Sequence, residues 1–282
     1  MKVERIRKPK FENVPLAEWL EAPRRRIKKC PINIVKKRDN LINYAEELIK
    51  LARWLTWEQQ SPEIAKESTS AMVHAAKMLA GFHQIAQQPE KKHTIAIAGL
   101  PEVNWSGEGI LASGRIHPAR WCEAYFCAVI TRDESSMEIL ANFPISLMKK
   151  SATTADPVAY TLVDVFQSYY HGASDFPVKL QKAFQELKAD GDDWCLSIGM
   201  GYMETFAALT TDIGYDFNEV LAKNLVYQEK YWIKAKDKDV VPLESYIPIE
   251  LLGMACMWHD KGNKVTVDSD SLPRFLIEGT YL

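Results

Sequence analysis

The chain has 282 residues, 47% hydrophobic and 26% charged, with a formal charge of −2 at pH 7. That composition is globular, and no apolar run reaches the ~20 residues a membrane helix needs. Cys30, Cys122, Cys127, Cys195 and Cys256 form no C-x-x-C pair, which excludes a disulfide scaffold and points to reduced, mostly buried thiols in a cytoplasmic protein.

The small net charge hides an asymmetry. Residues 1–38 carry 13 Lys and Arg against 4 Asp and Glu (+9), and the remainder carries 22 against 33 (−11). A basic N-terminal arm, 1–38, is expected to pack on an acidic body, 39–282, read as a single α-helical domain. No apolar h-region follows the basic start, so no secretory signal is expected. Leu16, Trp19 and Leu20 are spaced for one short helical turn.

Residues 39–58 read as an amphipathic helix capped by Asp39 or Asn40, with Leu41, Tyr44, Ala45, Leu48, Leu51, Ala52 and Leu55 on its apolar face. Residues 61–87 form another, with Ser61 as cap and Pro62 in the first position. His74 and His83 are nine apart, which is not a metal-ligand spacing on one helix face. His93 to Ala98 alternates as a strand, and a Gly-rich loop centred on Trp105 suggests a hairpin across 93–116. Ser106 and Ser113 sit in Gly-flanked turns, but neither matches a nucleophile elbow.

His117-Pro118 opens a helix whose core face is Trp121, Ala124, Tyr125, Ala128 and Val129, ending at Arg132-Asp133, read as an ion pair or cap. Helices follow at 137–150, interrupted by Pro144, and at 157–171 and 176–189. Asp190-Gly191-Asp192-Asp193 is an acidic turn without the spacing or closing Glu of a calcium loop. Ile198-Gly199-Met200-Gly201 lacks the remaining marks of a dinucleotide fingerprint and reads as a helix junction.

From Tyr215 the pattern sharpens. Asp216 caps a helix with Glu219 three residues on, and Phe217, Val220, Leu221, Leu225, Tyr231 and Trp232 form its apolar face. A loop follows Lys234. A buried helix starts near Ser245, with Pro248 in its first turn, and ends at Gly262, which can take a positive φ. Val265-Thr266-Val267 is a short strand candidate. The expected architecture is mainly α, an irregular array of ~10–12 helices with one small hairpin.

Asp216-Phe217-Asn218-Glu219, Lys230-Tyr231-Trp232, His259-Asp260-Lys261-Gly262 and Val265 to Pro273, in that order, resemble the C-terminal half of the immunity protein 49 family of bacterial polymorphic toxin systems. The resemblance covers roughly residues 40–279. It implies a cytoplasmic protein that neutralises a cognate secreted toxin by stoichiometric binding, without catalysis or a cofactor. The acidic body suits a basic toxin domain, with nuclease and deaminase both open. No direct nucleic-acid or membrane contact is expected. Candidate partner contacts are Asp190, Asp192 and Asp193 in the turn and Asp268 and Asp270 near the C-terminus. Two other readings stay open: an enzyme that reverses the toxin's modification, and a helical adaptor unrelated to toxins. No P-loop, H-E-x-x-H, triad or Cys/His metal set supports the enzyme, although a carboxylate pair needs no local signature.

Overall fold

The computed structural model describes residues 1–4, 16–56, 61–95, 101–211, 214–235 and 247–282. Among these it holds thirteen α-helices and one two-stranded antiparallel hairpin. The excess over the expected number comes from three single-turn helices, α2 (Cys30–Ile34), α7 (Ile145–Met148) and α13 (Arg274–Ile277), which are too short to show a helical period. Among the described residues no helix is long and apolar enough to cross a membrane.

The N-terminal helix α1 (Leu16–Lys28) is thirteen residues long, where one turn was expected. Pro23 lies inside it and is buried. A Pro reads as a helix stop because it lacks an N–H. Here the loss of one hydrogen bond is offset by packing of the helix on α3 (Asn40–Leu55), where Leu20 enters the core. Arg24 forms a two-pronged bond to Glu67 at 2.8 and 2.7 Å, and Arg26 pairs with Glu47 at 2.5 Å.

The α3 apolar face is as predicted, but Asp39 has helical backbone angles and makes no cap bond. Its carboxylate pairs with Lys37 and Arg38 instead. Ser61 does cap α4 (Pro62–Gln87), accepting from the Ile64 N–H at 3.3 Å. The hairpin pairs β1 (Lys92–Ile95) with β2 (Val103–Ser106), His93 opposite Trp105. Trp105 is thus a strand residue, and residues 96–98 of the expected strand lie outside the described residues.

The centre of the molecule is α5 (Pro118–Ile130), which packs against α4, α6 (Glu134–Ala141), α8 (Pro157–Tyr170) and α12 (Ile249–Asp260). Trp121 stacks on Tyr125 at 4.9 Å and sends its indole N–H to the Leu140 carbonyl at 2.8 Å. Phe126 meets Phe166 edge-on at 5.0 Å, and Phe166 meets Phe206 of α10 (Met200–Thr210) at 4.9 Å. Such edge-to-face rings pair the positive edge of one with the negative face of the next. On α12, Gly253 allows the close approach of α5: a Cβ there would lie 2.6 Å from the Phe126 ring. The remaining helices are α9 (Phe176–Asp190), paired with α8, and α11 (Phe217–Ala235), paired with α10. A five-residue π turn, Cys195–Gly199, leads into α10 at the expected junction. One contiguous cluster of buried side chains runs from Leu20 to Ile277.

Arg132 and Asp133 do not pair with each other. Arg132, at φ 52°, reaches Asp260 at the end of α12 with two bonds of 3.0 and 2.9 Å and donates to the Ile130, Leu276 and Ile277 carbonyls. Asp133 caps α6 through Ser136. Val265-Thr266-Val267 is not a strand. One parallel bridge joins Asp268 to Lys2, with Val3 N–H donating to the Asp268 carbonyl at 2.9 Å. A strand needs a ladder, and β-branching cannot supply the partner. The expected loop after Lys234 and the helix start near Ser245 lie outside the described residues.

Candidate functional site

Six helices and the π turn converge on a cleft of about 540 Å³. Its walls come from one face of α3, the first two turns of α5, Ala159 and Leu162 of α8, Trp194, Tyr202 of α10, Gln228 and Trp232 of α11, and Glu250 at the start of α12. His117 caps α5, its Nδ1 accepting from the Arg120 N–H at 3.3 Å, and so presents Arg120 and Glu123 to the cleft. The Arg120 guanidinium bridges Glu123 at 2.6 Å and Glu46, and its Nε has no partner among the described residues. A fork with one unused donor is an incompletely satisfied site.

The floor is a line of polar groups. The Tyr202 hydroxyl hydrogen-bonds to the Glu250 carboxyl and takes a long 3.4 Å bond from Gln228 Nε2. Burial first of all raises Glu250 above the ordinary carboxylate range, although Tyr202 and Arg53 work the other way. Burial likewise lifts Tyr202, and burial followed by the charges of Arg120 and Arg115 lowers His117. A neutral acid in a polar cleft can donate a hydrogen bond, and a charged neighbour can draw off its proton.

The five candidate aspartates are all exposed, and they form two clusters. Asp190, Asp192 and Asp193 lie in the turn before the π segment, where Asp193 pairs with Lys234 at 2.6 Å near the end of α11. Asp268 and Asp270 lie by the other end, where Asn218 of α11 bonds the Thr266 N–H at 2.7 Å and the Lys264 carbonyl at 3.3 Å. From residue 218 to 234 the helix rises roughly 24 Å, so the clusters are not one patch. Asp192 also accepts from the Cys195 N–H at 2.5 Å and thus serves the π turn. Asp190, Asp192 and Cys195 are near enough to one another to hold a metal ion. However, burial and then Asp192 push the Cys195 thiol up to about 12, so it is a poor thiolate ligand. All five cysteines are free and buried. Ser106 and Ser113 bond only to nearby backbone in their turns.

The C-terminal stretch that carries the resemblance is one structural unit. The Asp216 carboxylate accepts from the Glu219 N–H at 3.0 Å, Phe217 stacks on Trp258 at 4.6 Å, and Gly262 closes α12 with φ 84°. The model of the family described as immunity protein 49 matches residues 58–276. The chain belongs to the immunity protein 49 family. Membership implies a toxin-immunity role and a cognate toxin as partner. Neither the curated proteins nor the solved structures contain a match.

For this member of the family, sequence reasoning overlooked the cleft. In the sequence, the helix that holds Glu250 reads only as a buried one, and Trp232 falls on an apolar face. One signal was present: Asn224 and Gln228 fall at the helical step of Leu221 and Leu225, on a face that is buried. Asn224 spends its amide on the Gly201 carbonyl and Thr205, both at 3.1 Å, whereas Gln228 points to the cleft.

Proposed function

We propose that the protein neutralises a cognate secreted toxin by direct, stoichiometric binding in the cytoplasm of the cell it protects. Family membership over residues 58–276 carries this reading. An acidic body favours a basic toxin domain, whose approach the opposite charges would speed. The exposed aspartates Asp190, Asp193, Asp268 and Asp270 are proposed contacts, Asp192 being shared with the π turn. Residues 1–38 serve as a basic arm on the 39–282 body, a division supported by the pairs Arg24–Glu67 and Arg26–Glu47. The test is co-expression with the toxin encoded beside this protein: a 1:1 complex and restored growth are expected. Toxin that stays active in the presence of excess protein, with no complex on gel filtration, would refute the reading.

One observation favours a second reading, an enzyme that removes the toxin's modification. Burial raises the pKa of Glu250 in the cleft, as it would for a general acid. Catalytic amounts of the protein would then restore a modified target, whereas binding requires equimolar amounts.

A further inference from the structure

Resting on the binding reading, we propose that the cleft is a socket for one cationic side chain of the toxin, a guanidinium or ammonium group. It would seat between Trp194 and Trp232 and donate to Gln228 and Glu250.

Charge is the first reason. Four carboxylates line the cleft, Glu46, Glu47, Glu123 and Glu250, against three fixed cations, Lys50, Arg53 and Arg120. Glu46 and Glu123 share Arg120, and Glu47 holds Arg26. Glu250 is in no ion pair among the described residues. The groups that face it are Arg53 from α3, Cys122, Glu123 and Cys127 from α5, and Tyr202 from α10. Arg53 sends its Nε to the Ile247 carbonyl at 3.3 Å, and its charge only partly opposes the upward push of burial on Glu250. Glu46, Glu47 and Glu123 are each met by an arginine, so Glu250 is the one lining carboxylate left without an ion-pair partner among the described residues, and a single incoming cation would supply it. A buried charge is tolerated when it gains a partner of opposite sign.

Hydrogen bonding is the second reason. Gln228 is 4% exposed, and its Oε1 has no donor among the described residues. Tyr202 gives its proton to Glu250, so it accepts from Gln228, which orients the amide with nitrogen toward Tyr202 and leaves the oxygen as the open acceptor. A buried acceptor without a donor costs about 1–3 kcal/mol, which a donating ligand would recover. The third reason is the pair of half-buried indoles, whose faces attract cations and stack on guanidinium. When the cation seats on protonated Glu250, the proton goes to solvent and the carboxylate and cation neutralise each other.

The full-length protein is titrated with agmatine, following tryptophan fluorescence and calorimetry in two buffers of different ionisation enthalpy. At a pH below the Glu250 pKa, where proton release is read, agmatine is expected to bind with release of close to one proton. Its affinity should rise about tenfold per pH unit below the Glu250 pKa and level off above it. Glu250→Gln should abolish proton release and the pH dependence, and Gln228→Met should weaken binding about tenfold at every pH. Circular dichroism confirms that each variant is folded. The proposal is overturned if agmatine does not bind, binds without releasing a proton, or is outmatched by p-cresol or inorganic phosphate. Wild-type protein that fails to complex the toxin refutes immunity by binding but leaves the agmatine result standing. If both variants bind toxin as tightly as wild type, the socket is refuted and the immunity reading survives.

Discussion

The helices α5 and α12 each have a dry face and a wet face. On the dry side Phe126 meets Gly253, and Trp121, Tyr125 and Met254 are buried, with the Trp121 indole N–H satisfied. On the wet side, one residue before Trp121 and three before Gly253, stand Arg120 and Glu250, with an unused donor and an acid whose pKa burial raises. The same two helices therefore hold both a fully packed region and an incompletely satisfied one. Stability resides on one face, and the capacity to take a ligand on the other, because unsatisfied polar atoms weaken a fold but reward a partner.

Breaking the dry face should have the largest effect. Trp121→Ala removes a fully buried indole and is expected to cost about 3–5 kcal/mol in chemical denaturation. Arg132 clamps the ends of α5 and α12, and Arg132→Ala should cost about 3 kcal/mol, since it strands Asp260 and three carbonyls. His83 packs edge-on to Phe143 at 5.1 Å, and burial lowers its pKa from 6.5 to about 4. A lowered histidine stabilises above its unfolded pKa and loses that contribution as pH falls. The protein should thus lose up to about 3 kcal/mol between pH 6.5 and 4, and His83→Met should flatten that slope. Gly253→Ala drives a methyl into the Phe126 ring and should cost about 1–3 kcal/mol.

The smallest effect on stability belongs to the wet face. Glu250 is raised, so its contribution is full below the unfolded carboxylate pKa and is lost as pH rises through the folded one. Glu250→Gln should therefore leave acid stability unchanged and make the protein more stable at neutral and alkaline pH, read as a difference in Tm between pH 4 and pH 8. An unchanged Tm difference would mean that Glu250 is as well solvated as any surface acid, and the contrast between the faces would disappear.

Much of the fold is legible in the residues. The amphipathic face of α3, the Ser61-Pro62 start of α4, His117-Pro118 at α5 and the Asp216–Glu219 cap all appear where the pattern puts them, because caps and helical periods are local properties. Misreadings occurred where a distant partner intervened. Pro23 continues a helix because α3 supports it. At Arg132-Asp133 the cap reading holds, with Asp133 on α6, while the ion pair forms between Arg132 and Asp260, 128 positions away. Val265 to Val267 finds no ladder.

Helix positions, the mainly α class and the family follow from order and spacing along the chain, which need no knowledge of what lies across the core. The cleft does not. Its residues come from α3, α5, α8, α10, α11 and α12, and none of these segments looks unusual alone. Whether a Gln or Glu on a helix faces solvent, core or cavity depends on how the helices pack, and so does the burial that raises the pKa of Glu250.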